Sequence, residues 1–171
     1  SSQQLSFVAA VALDRALQHW VPPAHLALKW PNDLLVGDAK LVGILLERHG
    51  DSVVIGVGVN LAVAPELPDR PTTALSALGP APDRDLFADG LSNAFALELE
   101  RWRTYGLGPI IARWCAAAHP LGTPLRVGEP GQVTIEGKFA GLDDQGALLL
   151  ALPDGTTRTI HAGDVFLGGA N

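Results

Sequence analysis

The spacing of apolar positions changes along the chain and predicts a different kind of element in each region. Residues 4–20 are rich in alanine and leucine and contain neither glycine nor proline, which predicts a buried helix. Pro22 and Pro23 follow shortly after Trp20. Because proline cannot continue a helix, the helix should end by Trp20.

Strands are predicted next, because apolar and polar residues alternate with a period of two. They cover residues 26–30, 34–36, 40–48 and 52–60. In the first strand Lys29 shares a face with the small Ala27, which leaves room for a ligand. In the last strand Gly56, Gly58 and Asn60 share a face, against which a flat ligand could lie.

Helical spacing returns after a loop. Residues 61–82 are rich in proline and small residues and should be mostly loop. Asp83 is predicted to cap a helix that runs to about Tyr105. The core face of this helix is marked by apolar residues three or four positions apart, namely Phe87, Leu91, Phe95, Leu99 and Trp102. A second helix is predicted over residues 109–118, and His119 and Pro120 end it.

The pattern changes again beyond residue 122, where short strands separated by turn residues predict a small β-barrel. The predicted strands cover residues 124–127, 132–142, 147–152, 156–161 and 165–167. The predicted fold is therefore α+β. Residues 1–120 should form a mixed sheet flanked by helices, and residues 121–171 a small barrel domain.

Length and composition narrow the class of protein. The chain has 171 residues, 47% of them hydrophobic, which suits one mid-sized domain with a small module. A formal net charge of −6 argues against nucleic-acid binding by this segment. The apolar runs fall short of the roughly 18 residues that a membrane span requires, and no signal peptide opens the chain. We therefore expect a cytoplasmic protein with no membrane partner.

Other residue types exclude several kinds of site. Cys115 is the single cysteine, so it cannot form an internal disulfide, and it is interpreted as core filler. The five histidines show no metal-ligand spacing, so no protein-bound metal is predicted. Gly56 and Gly58 lack the third glycine of a dinucleotide fingerprint. Because the chain contains no methionine, we expect that upstream residues of the protein precede it.

Candidate chemistry is concentrated between residues 29 and 60. Lys29, Asp33 and Lys40 lie among strand-forming apolar residues. A half-buried lysine loses several kcal/mol of hydration unless an anion meets it. Two such lysines suggest an anionic ligand, such as a carboxylate or a phosphate.

Three short motifs in this region carry a family resemblance. Residues 29–33 read Lys-Trp-Pro-Asn-Asp, residues 40–45 read Lys-Leu-Val-Gly-Ile-Leu, and residues 56–60 read Gly-Val-Gly-Val-Asn. In this order and spacing they resemble the biotin protein ligases. The resemblance implies a class II synthetase-like catalytic domain, here incomplete at its N-terminus, and a C-terminal SH3-like domain. It also implies ATP-dependent formation of biotinyl-5′-adenylate and transfer of biotin to a lysine of a biotin carboxyl carrier protein.

The resemblance assigns catalytic roles to three residues. Lys40 matches the family lysine that contacts the biotin carboxylate and later the acyl-phosphate bridge; the alternative is a solvated lysine at a strand end. Lys29 matches a lysine that meets phosphate oxygens, or it forms a structural ion pair with Asp33. Asp33 would orient the carrier lysine or accept its proton, or it is ordinary turn material.

Further residues are implied as contacts of biotin. The strand backbone at Gly43, Ile44 and Leu45 would line the biotin pocket, unless these residues belong to an ordinary core strand. Asn32 either touches the ligand or holds its turn together. Trp30 belongs to the same motif and should pack beneath the site.

The nucleotide contacts implied by the resemblance are Asn60, Lys29 and Gly58. The alternative for Asn60 is a residue that ends a strand and is satisfied by a turn. ATP would bring Mg²⁺ with it, as phosphate chemistry requires. The glycine- and arginine-rich loop that the family carries upstream is not in this chain, so we expect activity to depend on upstream residues.

Two other functions stay open at this point. One is a lipoate or octanoyl ligase or transferase of the related fold, although those families lack the Lys-Trp-Pro-Asn-Asp segment. The other is a non-catalytic fragment that binds a carrier protein. The oligomeric state, including a possible homodimer, and an upstream DNA-binding domain are also left open.

Overall fold

The structure, a computed structural model, describes residues 3–68, 70–128 and 134–168. Within these ranges the chain forms α-helices and two β-sheets, which confirms the predicted α+β class. The helices are α1 (Gln4–Leu17), α2 (Arg84–Tyr105) and α3 (Gly108–Ala117), with short 3₁₀ helices at Pro23–His25 and Leu75–Ala77. No helix in the described ranges is long and apolar enough to cross a membrane.

The helix ends follow from local hydrogen bonding. Asp83 caps α2 as predicted, because its carboxylate accepts hydrogen bonds from the backbone N–H groups of Asp85 at 2.9 Å and Leu86 at 3.0 Å. Helix α1 ends at Leu17, earlier than the predicted Trp20, because the backbone N–H of Trp20 turns back onto the Leu17 carbonyl. Helix α1 is buried along most of its length and packs against the first sheet and both other helices.

The first sheet is formed by β1 (Leu26–Lys29), β2 (Asp33–Val36), β3 (Ala39–His49) and β4 (Ser52–Val59), in that order. Its described strands are all antiparallel, whereas a mixed sheet was predicted. The physical reason is that the connections between these strands are short, and short connections join antiparallel neighbours. Parallel pairing among the described residues is limited to two isolated bridges, Leu28 with Ala118 and Lys40 with Thr72.

The second sheet lies in the C-terminal part of the chain and contains the short strands that were predicted. Its order is β8-β7-β6-β5-β9 and its pairs are antiparallel. The predicted start of β6 at Gln132 lies outside the described residues. The strands are β5 (Pro124–Gly128), β6 (Ile135–Leu142), β7 (Leu148–Ala151), β8 (Thr157–Ile160) and β9 (Asp164–Leu167).

Both sheets pack onto the helices in one continuous hydrophobic core. A chain of aromatic contacts illustrates this. The ring of Phe7 in α1 lies 5.9 Å from that of Trp114 in α3, which lies 6.5 Å from that of Phe139 in β6. The predicted division between residues 120 and 121 therefore falls between two sheets that are fixed against each other by shared packing.

Candidate active site

The carboxylate of Asp33 is the centre of the candidate site. Asp33 is only 5% exposed, and cationic side chains contact both of its oxygens. Lys40 Nζ lies 2.6 Å from Oδ1, Lys29 Nζ lies 3.2 Å from Oδ2, and the Arg70 guanidinium lies 3.8 Å from Oδ2. The structure thus brings together the three residues to which the resemblance gave catalytic roles, and it includes the Lys29–Asp33 ion pair that was the alternative for Lys29.

Strand geometry explains why these groups meet. Lys29 at the end of β1 is the register partner of Asp33 at the start of β2, because the chain reverses over residues 30–32. Asp33 is in turn opposite Gly43 of β3. A Cβ on Gly43 would lie 3.1 Å from both Cε and Nζ of Lys40, so the missing side chain leaves room for the Lys40–Asp33 pair. This is a role for Gly43 that the sequence did not predict.

Arg70 is a site residue that the sequence analysis missed. It lies in the loop after β4, and backbone hydrogen bonds fix that loop against β3. The N–H of Lys40 donates to the Pro71 carbonyl at 2.9 Å, and the N–H of Thr73 donates to the Lys40 carbonyl at 3.0 Å. The Asn60 side-chain amide donates to the Thr73 carbonyl at 2.9 Å. Because this pairing is long-range, no local periodicity in the sequence signals it.

A cavity of about 460 Å³ opens beside this cluster, and both parts of the chain line it. Lys29, Lys40 and Arg70 lie on one wall, and Arg126 of β5 contributes a further cation. The carboxylates on its lining are those of Asp33 and Asp38. Cationic groups therefore outnumber carboxylates on the described lining, which favours an anionic ligand over a neutral one.

His119, which was predicted only as a helix terminator, also lines the cavity. Burial lowers its pKa, and the positive charge of Lys29 adds to this, while the carboxylate of Asp38 opposes it. The Nε2 atom of His119 is buried without a hydrogen-bond partner among the described residues. Both observations favour the neutral imidazole at pH 7.

The two asparagines with predicted site roles hold backbone segments in place. Asn32 donates from its amide to the Ile44 carbonyl at 2.6 Å and accepts a hydrogen bond from the Ile44 N–H at its own carbonyl, 2.9 Å away. Asn60 ties the Arg70 loop to β3 as described above, and its backbone N–H donates to the Leu41 carbonyl at 3.0 Å. The structural alternatives for Asn32 and Asn60 are therefore present in the structure, and ligand contacts by either residue stay predictions.

The face of the sheet that carries Asp33 is almost free of side chains beyond the cluster. Asp33, Gly43 and Gly58 are register partners across β2, β3 and β4. Leu45 on the same face is 61% exposed, whereas Ile44 points into the core and is 3% exposed. The result is an open, apolar strip next to the cations.

Trp30 lies on the other side of this segment. Its side chain is 5% exposed, and its indole N–H donates to the carbonyl of Gly146 in the second sheet at 3.0 Å. It therefore packs beneath the site, as predicted, and its contact with a ligand stays a prediction. Among the described residues, no group of three or more potential metal ligands of the His, Cys, Asp or Glu type is present.

Comparison with known families gives two matches along the chain. A family model described as "Biotin/lipoate A/B protein ligase family" matches residues 3–60. A second, described as "Biotin protein ligase C terminal domain", matches residues 121–168. The first match contains Lys29, Asp33 and Lys40, and the second covers the C-terminal sheet.

Curated relatives align over most of the chain. A "Biotin--[acetyl-CoA-carboxylase] ligase" of Paracoccus denitrificans is 42% identical over 181 aligned residues, which cover 99% of this chain and 75% of that relative. A protein of the same name from Mycobacterium tuberculosis is 40% identical over 146 residues, covering 85% of this chain and 54% of the relative. This chain thus spans three quarters of the first relative and about half of the second.

Solved structures share the fold. The apo biotin protein ligase of Aquifex aeolicus superposes with a TM-score of 0.83 at 23% identity, covering 97% of this chain and 76% of that one. The same ligase "in complex with biotin and ATP" gives a TM-score of 0.82 at 24% identity, covering 98% and 72%. At these identities the likeness concerns the fold.

Proposed function

This chain belongs to the biotin protein ligase family, and we propose that, within the complete protein, it activates biotin with ATP and transfers it to a lysine of a biotin carboxyl carrier protein. The observation that carries this proposal is the convergence of Lys29, Lys40 and Arg70 on the Asp33 carboxylate at the wall of a cationic cavity. Such a cluster suits a reaction between two anions.

In the first step a carboxylate oxygen of biotin attacks the α-phosphorus of ATP, and the bond from that phosphorus to pyrophosphate breaks. Both reactants are negatively charged, so the step needs positive charge in fixed positions. We assign Lys40 to the biotin carboxylate and to the acyl-phosphate bridge that forms, and Lys29 to the phosphate oxygens. Because Asp33 holds both ammonium groups on one wall, little reorganisation is needed when the anions arrive.

The fused rings of biotin are assigned to the open strip of the first sheet. Gly43 and Gly58 present backbone without side chains there, and Leu45 offers an exposed apolar contact. A compact pair of fused rings fits such a surface, and strand backbone groups supply polar contacts to its ureido ring. In this assignment the carboxylate tail of biotin extends towards Lys40.

The nucleotide is assigned to the cationic cavity, with Mg²⁺ entering as the complex with the phosphates of ATP. Lys29 and Arg70 line that cavity. Asn60 acts on the nucleotide through the loop that it holds, since its amide donates to the carbonyl of Thr73 within that loop. Gly58 keeps the neighbouring face clear of side chains.

In the second step the carrier lysine amine attacks the acyl carbon, the bond to the AMP oxygen breaks, and the amine loses a proton. Asp33 is the described carboxylate closest to both lysines of the site. Because cations already contact both of its oxygens, we assign Asp33 to orienting the incoming amine. Proton acceptance by Asp33 would require one of those contacts to open.

The test uses the purified complete protein with MgATP. Biotin is expected to give pyrophosphate and biotinyl-5′-adenylate, whereas lipoate and octanoate are not. Pyrophosphate release with lipoate instead would support the ligase of the related fold. Binding of a carrier protein without pyrophosphate release from any of these acids would support a non-catalytic module.

A further inference from the structure

The second sheet reaches the catalytic segment through one buried hydrogen bond. The indole Nε1–H of Trp30 donates to the Gly146 carbonyl at 3.0 Å, although the two residues are 116 positions apart. Trp30 directly follows Lys29, whose side chain lines the cavity on the other face of β1. The Gly146 carbonyl of the C-terminal sheet therefore holds Trp30, which is next to Lys29, the proposed phosphate contact.

Both the backbone conformation and the packing at Gly146 disfavour a side chain. Its φ is +88°, in the region that residues with a side chain rarely adopt. A Cβ at this position would also come within 2.7 Å of the Phe7 ring of α1. The turn thus fits tightly between α1 and Trp30, and any side chain at Gly146 would push it away from both.

The turn is rigid enough to hold its partner. Five residues, 143–147, join β6 to β7. The Asp143 carboxylate accepts hydrogen bonds from the backbone N–H of Gln145 at 2.9 Å and of Ala147 at 2.8 Å, and the Gly146 N–H donates to the Asp143 carbonyl at 3.1 Å. These bonds brace the peptide units on both sides of Gly146, so the Gly146 carbonyl is fixed in the direction of Trp30.

Lys29 depends on this contact more than Asp33 does. Strand β1 has four residues and, among the described strands, pairs only with β2, with one further bridge from Leu28 to Ala118. Asp33 lies in β2, between β1 and β3, and Asn32 before it exchanges two hydrogen bonds with Ile44. Loss of the Trp30–Gly146 bond should therefore free the end of β1 while β2 and β3 stay in place.

From this asymmetry we infer that Trp30 and Gly146 are positioning residues: the turn of the second sheet fixes Trp30 and thereby sets Lys29 against Asp33 for the activation of the acid. The inference rests on the function proposed above. It gives the C-terminal sheet a part in the first chemical step without contact to the reacting atoms. The second step, which uses Asp33 and Lys40, is much less dependent on it.

The first test is Trp30→Phe in the complete protein, which removes the N–H donor and keeps an aromatic ring. Adenylate formation is expected to fall about tenfold or more, because a displaced Lys29 no longer meets the phosphate. Transfer from supplied biotinyl-5′-adenylate and the KM for biotin should stay within about twofold of wild type. A purely structural role would lower both half-reactions by the same factor, and that result, or no change in either, overturns the inference.

Two glycines provide a matched pair for the second test. Gly146 and Gly155 both lie in turns of the second sheet, with φ of +88° and +84°, but nothing lies within 4 Å of a Cβ on Gly155. Alanine at either position costs similar backbone strain, so only Gly146→Ala should also displace Trp30. We expect slowed adenylate formation and faster hydrogen exchange of the Trp30 indole N–H, followed by NMR, in Gly146→Ala but not in Gly155→Ala.

The outcomes separate the inference from the proposed function. Wild-type protein that forms no adenylate overturns the proposed function. An active wild type with the same half-reaction rates in Trp30→Phe overturns only the positioning role. Equal effects of Gly146→Ala and Gly155→Ala would likewise assign the loss to backbone strain and not to Trp30.

Discussion

Asp33 and Glu98 are buried carboxylates in the same protein, and each is contacted by cations from several elements. The closest cation to Asp33 is the ammonium of Lys40, at 2.6 Å, and the closest to Glu98 is the guanidinium of Arg113, at 2.5 Å. In both places the weakest of the described contacts is 3.8 Å long. The local charge chemistry is therefore similar, and what differs is where each cluster lies.

Glu98 lies between helices and is fully buried, at 0% exposure. Arg113 reaches both of its oxygens, so the contact is bidentate. Its cations come from all three helices: Arg15 of α1, Arg101 of α2 and Arg113 of α3. Glu98 is not on the lining of the cavity beside Asp33. This cluster therefore ties the helices together.

Asp33, by contrast, lies at the wall of the cavity and is contacted mainly by lysines. A guanidinium fork fixes a carboxylate in one geometry, whereas a lysine ammonium is a compact charge on a flexible stem that can move between partners. The comparison teaches that a buried carboxylate with several cations is not itself a sign of function. The type of cation and the neighbouring open space distinguish the two uses.

The largest expected effect on stability comes from a substitution in the Glu98 cluster. Glu98→Gln should lower the free energy of unfolding by about 3 kcal/mol, because several guanidinium groups lose their counter-charge; their partial exposure keeps the loss at the lower end of the usual range. Urea unfolding measures it. The exposed Glu100→Gln is the control, and a loss no larger than in that control would show that the cluster does not hold the helices.

The second prediction concerns the Asp33 cluster, where a substitution should also lower activity. Asp33→Asn should lower the free energy of unfolding by about 3 kcal/mol, as Glu98→Gln does, because the lysines around Asp33 are no more exposed than the arginines around Glu98. Transfer of biotin to the carrier should fall by about 100-fold, a typical loss when a group that handles a proton or orients an amine is removed. Single-turnover transfer from supplied adenylate checks the rate. Asp51→Asn, in an exposed turn, is the control; a fall in stability with normal transfer would make Asp33 structural, like Glu98.

Residue patterns predicted the Asp33 cluster but not the Glu98 cluster, and the reason is sequence distance. Lys29, Asp33 and Lys40 lie within three consecutive strands, β1, β2 and β3, so the strand period and the motifs place them together. Most helix and strand positions were predicted for the same reason, since period and capping are local. The hydrophobic core that the two sheets share could not be predicted from these local patterns and is known only from the structure.

The missed residues all depend on long-range contacts. Glu98 lies on the same helix face as Phe95 and Trp102, where a charged residue only breaks the apolar pattern. Its ion pairs with Arg15 and Arg113 join residues far apart in the sequence, so the pattern did not predict them. Arg70 lies in a proline-rich loop whose position is set by pairing of Pro71 and Thr73 with Lys40. The first sheet was predicted to be mixed, whereas the pairs between its described strands are antiparallel, in keeping with their short connections.

The third prediction sharpens the comparison by removing one cation and leaving the carboxylate. Lys40→Ala in the complete protein should weaken binding of biotin and of the adenylate by more than about tenfold, or roughly 1.4 kcal/mol, because an anion loses its partner. Calorimetry measures the affinity. Lys138→Ala, an exposed lysine of β6, is the control. Unchanged affinity in Lys40→Ala would remove this residue from the site and leave it as a structural partner of Asp33.

The smallest expected effect concerns a third carboxylate, Asp14 of α1, which lies close to the Glu98 cluster. Burial raises the pKa of Asp14, while hydrogen bonding from Gln18 and the charge of Arg113 oppose the shift. A raised pKa means that the folded state binds the proton more tightly than the unfolded state, so this group favours folding at low pH and opposes it as the pH rises above its ordinary range. Asp14→Asn keeps an acceptor for Gln18 and should therefore stabilise the protein at pH 7 by less than about 1 kcal/mol after solvent screening, with no gain near pH 3. Urea unfolding at both pH values checks this. Destabilisation at pH 7 would mean that Arg113 stabilises the ionised carboxylate of Asp14 as well as that of Glu98.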